Sequence, residues 1–145
     1  MTGRCREDGG SAVVEFVVLA TVLLVPLVYL VLFLGRLQAG SYAVTTAARD
    51  AGRAYVTAPE EAEAAARAQA AARIAFADEG YDRIGDLAVT CAASPCLTPG
   101  AAVSVVARVD VPLPLIPAFA RRALPLRVPV SASYVATVDR FRSAP

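Results

Sequence analysis

The chain has 145 residues, 57% hydrophobic and 19% charged, with a formal net charge of +1. Its mean hydropathy of +0.53 exceeds that of an ordinary soluble domain, yet so many charges argue against a multi-span protein, which leaves one membrane segment joined to one modest domain. All basic residues are Arg and no basic face or arm stands out, so nucleic acid has no footprint, and the absence of His removes the commonest general base and metal ligand, which disfavours an enzyme.

The first element is apolar. From Phe16 to Leu34 the chain reads FVVLATVLLVPLVYLVLFL, with no charge. About 20 apolar residues cross a bilayer core at 1.5 Å each, so this run predicts a transmembrane helix. A secretory signal peptide has an apolar run of only about 7–15 residues and ends in a small-x-small site. Here the run is longer, and the nearest candidate, Leu37-Gln38-Ala39, begins with a large residue. A secreted domain released after Ala39 is the competing reading. Pro26 is tolerable because membrane helices re-satisfy the freed carbonyl locally. Arg4 and Arg6 favour a cytoplasmic N-terminus, although Glu7 and Asp8 follow them and Arg36 lies just past the other end of the run.

Helical spacing continues past the apolar run. Leu37, Tyr42, Ala47, Ala51, Ala54 and Tyr55 form a stripe of mostly small residues, and Gly35, Gly40 and Gly52 come without turn signals. One helix from about Ser11 to Val56 is therefore expected, its second half suited to close packing. Thr57-Ala58-Pro59-Glu60 reads as a capping box for a second helix, which stops at Gly80. That helix is Ala-rich, so Ile74 and Phe76 are expected to dock it.

Beyond Gly80 the period becomes two. Leu87-Val89-Cys91 forms one candidate strand, and Val103, Val105, Ala107, Val109 and Val111 face inward from a second. Leu126, Val128, Val130, Ala132 and Tyr134 do so from a third, where Pro129 implies an edge or a bulge. The apolar connection from Pro112 to Pro125 has room for a helical turn or two between Ile116 and Leu124, near Arg121 and Arg122. It either closes the core or faces a partner or the membrane surface. Cys91 and Cys96 allow a short disulfide loop in an oxidising compartment. Their alternatives are two reduced thiols or a metal pair, and with no His and no second Cys pair a metal is disfavoured. The predicted fold is α+β: a long N-terminal transmembrane helix running into a small extracytoplasmic domain with a second helix and a three-stranded antiparallel sheet.

Glu15 stands at the mouth of the apolar run, where a carboxylate is expensive unless it is paired or interfacial. Gly10, then Ser11-Ala12-Val13-Val14, then Glu15-Phe16 resembles a prepilin processing site. The stretch Ala47-Ala48-Arg49-Asp50-Ala51-Gly52-Arg53 resembles the AARxxAR-type segment of TadE-like proteins, the minor pilins or pseudopilins of tight-adherence (Tad/Flp) pilus systems. That resemblance implies a leader (1–10), a transmembrane helix (11–35) and an extracytoplasmic stalk and α+β domain (36–145), with a prepilin peptidase cutting between Gly10 and Ser11. Gly9-Gly10 resists helix there and leaves an open backbone for a protease. Glu15, with Phe16 beside it, would meet a free α-amino group, of its own chain or a neighbour, and set the register between packed helices. Ser11 departs from the Phe of major type IV pilins at this position. The implied partners are the prepilin peptidase, other pilins and pseudopilins, and the cytoplasmic membrane, with no nucleic acid and no small-molecule substrate. No catalytic residue, metal or cofactor is expected. The competing reading is a single-span or secreted binding domain unrelated to pili, with Glu15 merely interfacial.

Overall fold

The computed structural model describes residues 9–81, 85–114 and 127–142. Its first helix, α1 (Gly9–Val56), runs unbroken for 48 residues through Pro26, about 70 Å at 1.5 Å per residue. Thr21, Ser41, Thr45 and Thr57 each donate their hydroxyl to the carbonyl four residues back, so none competes with the helix. Among the described residues nothing covers the apolar half of α1, and it is long and apolar enough to cross a membrane. Only the second half takes part in the core. There Ala43, Val44, Ala47, Ala48 and Ala51 are at most 1% exposed, spaced three and four apart on one face. Tyr42, expected on that face, is 68% exposed. It lies two residues from Gly40 and so turns to the opposite side of the helix.

The second helix, α2 (Glu61–Asp78), folds back along α1. The expected capping box does not form. Glu60 is the N-cap and makes no side-chain cap, while the Thr57 hydroxyl bonds to Arg53 of α1. The helix stop is as expected. Gly80 takes φ +78°, its N–H bonds to the Ala77 carbonyl at 3.0 Å, and the Tyr81 N–H bonds to the Phe76 carbonyl at 2.7 Å. This pair of bonds satisfies the last carbonyls, and the accompanying contact between Phe76 and Tyr81 is buried. Docking, however, falls to Ala64, Ala68, Ala72, Ala75 and Phe76. Ile74 is 65% exposed: it sits two residues from both Ala72 and Phe76, on the far face of the helix.

Strands β1 (Gly85–Cys91), β2 (Ala102–Pro112) and β3 (Arg127–Thr137) form an antiparallel sheet in the order β1-β2-β3. The fold is thus α+β, with the two helices layered on one face of the sheet. β2 lies in the centre and presents Val103, Val105, Ala107, Val109 and Val111 inward, none more than 2% exposed. Each buried Val contributes about 1.5–3 kcal/mol, more than an Ala methyl can, so residue for residue β2 outweighs the alanine faces of α1 and α2. Pro129 sits on edge strand β3 opposite Asp110, where a missing N–H leaves no neighbour unpaired. Leu126 and the stretch from Ile116 to Leu124, including Arg121 and Arg122, lie outside the described residues, as does Cys5.

Small residues decide how closely α1 approaches the sheet. A Cβ on Gly40 would lie 2.5 Å from Val111 Cγ2, and one on Gly52 would lie 2.8 Å from Tyr134 Cδ1. These glycines are contact points, which is why the helix tolerates their low propensity. Gly85 likewise gives its Cβ space to the Phe76 ring.

Two stability predictions result, each read from thermal or denaturant unfolding in detergent. Gly40→Ala should destabilise by about 1–3 kcal/mol through overpacking, whereas Gly35→Ala, with nothing within 4 Å of the new methyl, should be neutral or slightly stabilising. Phe76→Ala should cost about 3–5 kcal/mol, while Ile74→Ala should stay within about 0.5 kcal/mol.

Candidate functional site

Three regions of α1 and the head carry the residues singled out by sequence. At the N-terminus, Gly10 and Ser11 lie within the first turn of α1, which begins at Gly9. The glycine pair therefore does not keep this stretch out of the helix. It does weaken it, since the first four N–H groups of a helix have no partner within it and each Gly disfavours the helix by about 1 kcal/mol relative to Ala. Glu15 and Phe16 follow one turn later, and both are exposed, Phe16 at 71%. No ion pair joins Glu15 to another described residue.

In the stalk, the stretch Ala47 to Arg53 divides by face. Ala47, Ala48, Ala51 and Gly52 are buried against the head, while Arg49, Asp50 and Arg53 are exposed on the other side. The small residues of this motif thus hold the head, and its charges are presented outward.

At the end of the head away from the apolar half, Cys91 and Cys96 are bonded, with Cα atoms 5.3 Å apart. The Tyr55 hydroxyl lies 3.7 Å from Cys91 Sγ. The Cys96 N–H donates to Glu61 Oε1 at 3.2 Å, tying the loop to the first residue of α2. Arg142 closes the corner between the helices, donating to the Val56 carbonyl at 3.3 Å and to the Pro59 carbonyl. At the opposite end, the Tyr81 hydroxyl donates to the Arg36 carbonyl at 2.9 Å. Sequence reasoning missed Glu61, Arg142 and both tyrosines as ties. Each bond links positions 35 to 86 residues apart, a separation at which no local pattern signals a contact.

Burial holds the phenols of Tyr55 and Tyr81 above their ordinary value of 10.0. Glu61 adds to the effect at Tyr55, while at Tyr81 Arg36 opposes it and Glu79 adds to it.

The arrangement is that of one helix long and apolar enough to cross a membrane, continuous with a stalk and a small disulfide-bonded head. Residues 10–53 match the family model described as TadE-like protein, the family that the motifs of α1 resemble. The match lies within α1 and ends at Arg53, before α2 and the sheet. No curated protein and no solved structure matches the chain.

Stability should respond to alkali through the two phenols. Because the folded state raises their pKa, their contribution is complete below the unfolded value near 10 and is lost as pH rises through the folded values. Denaturant unfolding should therefore show stability falling as pH rises above about 10. In Tyr81→Phe that loss should be shallower, on a neutral-pH baseline lowered by about 1 kcal/mol for the missing hydrogen bond.

Proposed function

We propose that the protein is a minor pilin or pseudopilin of a Tad/Flp-type adhesion pilus, a non-enzymatic component that helps assemble, prime or tip the filament. Residues 1–10 serve as a leader, 11–35 cross the cytoplasmic membrane, and 36–145 form the stalk and head outside it, with the N-terminus cytoplasmic. The observation that carries this reading is the continuity of α1 across the family match, with Glu15 at the start of its apolar half in an ion pair with no other described residue.

A prepilin peptidase cuts between Gly10 and Ser11. The frail first turn supports this, since a protease binds extended backbone and the glycine-containing turn unwinds at little cost. Cleavage leaves an α-amino group on Ser11, at the positive end of the helix, where the dipole disfavours a cation. Glu15 lies four residues on, about one turn of 5.4 Å away. It can neutralise that amine in its own chain or one on an adjacent subunit. Either pairing in low dielectric removes the penalty of a lone carboxylate and fixes the axial register of packed helices. The disulfide suits the oxidising side of the membrane. Other pilins and pseudopilins are the partners that the exposed apolar half would pack against.

Intact mass and terminal peptide analysis of protein from native membranes should place the N-terminus at Ser11. Gly10→Val should abolish that cleavage, whereas Glu15→Ala should leave it intact and reduce pilus assembly at least several-fold. An intact leader in cells with an active prepilin peptidase would favour a membrane-anchored binding domain instead. Normal piliation with Glu15→Ala would refute the register role.

A further inference from the structure

The head stands unusually close to the apolar half of α1, because no linker separates them. The helix is continuous from Leu34 to Gly40, a rise of about 9 Å. Gly40 already packs against Val111, and Tyr81 is bonded to the Arg36 carbonyl. The polar layer on each side of a bilayer is about 5–8 Å deep, the difference between a hydrocarbon core of about 30 Å and a total of about 40–45 Å. The lower edge of the head therefore falls at headgroup depth.

The strand directions identify that edge. Gly52 faces Tyr134 and Ala136, which pair with Val105 and Val103, whereas Gly40 faces Val109 and Val111. β2 thus runs antiparallel to α1, and its C-terminal end points toward the bilayer. Pro112 and its register partner Arg127 are exposed at that end, and the half-buried Leu113 and Pro114 continue past them. The turn after α2, with Gly80 and Tyr81, reaches the same level, since Tyr81 touches Arg36. Tyr42 lies exposed on the other side of α1, at a level where an aromatic residue favours the membrane interface. Among the described residues the charges at this end are mixed, with Arg36, Arg127, Asp78 and Glu79, and a zwitterionic headgroup layer can pair with both signs.

We propose that the end of β2 (Pro112 to Pro114) and the turn at Gly80-Tyr81 rest in the headgroup layer of the bilayer that α1 crosses, making the lipid surface a second partner of the head. The proposal rests on reading Phe16 to Leu34 as a transmembrane segment. The rigid junction carries it: a head joined at Arg36 and Gly40 cannot rise away from the surface without breaking helix or core.

The test uses the full chain with Cys5→Ser and its disulfide intact, reconstituted in phosphatidylcholine nanodiscs. Single cysteines at Pro112→Cys, Arg127→Cys, Phe141→Cys and Leu24→Cys carry an environment-sensitive fluorophore, and lipids carry a nitroxide on the headgroup or the acyl chain. Headgroup nitroxide should quench the labels at 112 and 127 several-fold more than the label at 141, which is at the far end of the head and 95% exposed as Phe141. Acyl-chain nitroxide should quench the label at 24. Labels at 112 and 127 quenched no more than 141, with 24 still quenched, would overturn the lipid contact and leave the transmembrane reading standing. An unquenched label at 24 would overturn both.

Discussion

The packing of one face of α1 against the sheet and α2 is the contact on which the molecule depends, because α1 is at once the membrane-competent segment and the backbone of the head. Ala43, Val44, Ala47, Ala48 and Ala51 supply that face, with Gly40 and Gly52 meeting side chains from the two outer levels of the sheet. Small residues bury little area each. Their value is distance, for they let the valines of β2 reach the helix backbone, each burying more area than an alanine does. A helix with bulkier residues would bury more of its own surface and hold the sheet further off.

Polar ties then secure the two ends of this layer. Near the apolar half, Tyr81 bonds to the Arg36 carbonyl; at the far end, Arg142 spans the corner between the helices and Glu61 holds the disulfide loop. Each tie ends on a backbone group that regular structure leaves available or can share. Helix ends and loops are where stability is usually lowest, and here both are fastened back to α1 or α2.

Much of this was legible in the sequence. The continuous helix from near Ser11 to Val56, the stop at Gly80 and the inward valines of β2 all follow from short-range period and turn chemistry, and they appear as expected. Errors arose where a choice of face or partner depended on something distant. Tyr42 and Ile74 are large and apolar enough to suggest burial, but their helical phase was fixed by alanines whose importance only a close neighbour reveals. Thr57 matched a capping pattern, yet its hydroxyl is used by the preceding helix. Gly40 and Gly52 looked like weaknesses in a helix because nothing local shows the strand that crosses them. The motif residues of α1 were visible as residue types, while the division of Ala47 to Arg53 into a packed side and a charged side required the head to be in place.

The unbroken passage of α1 from its apolar half into the head has a mechanical corollary. A helix without a hinge transmits rotation as well as position, so the direction in which the head faces is set by how the apolar half is seated. Each residue turns the helix by about 100° and advances it by 1.5 Å. A single residue inserted between Leu34 and Arg36 would leave both halves intact as folded units, yet swing the sheet about a quarter-turn around the helix axis. Spacing along α1 therefore acts as a compass for the head, and length at this junction is constrained as tightly as residue identity.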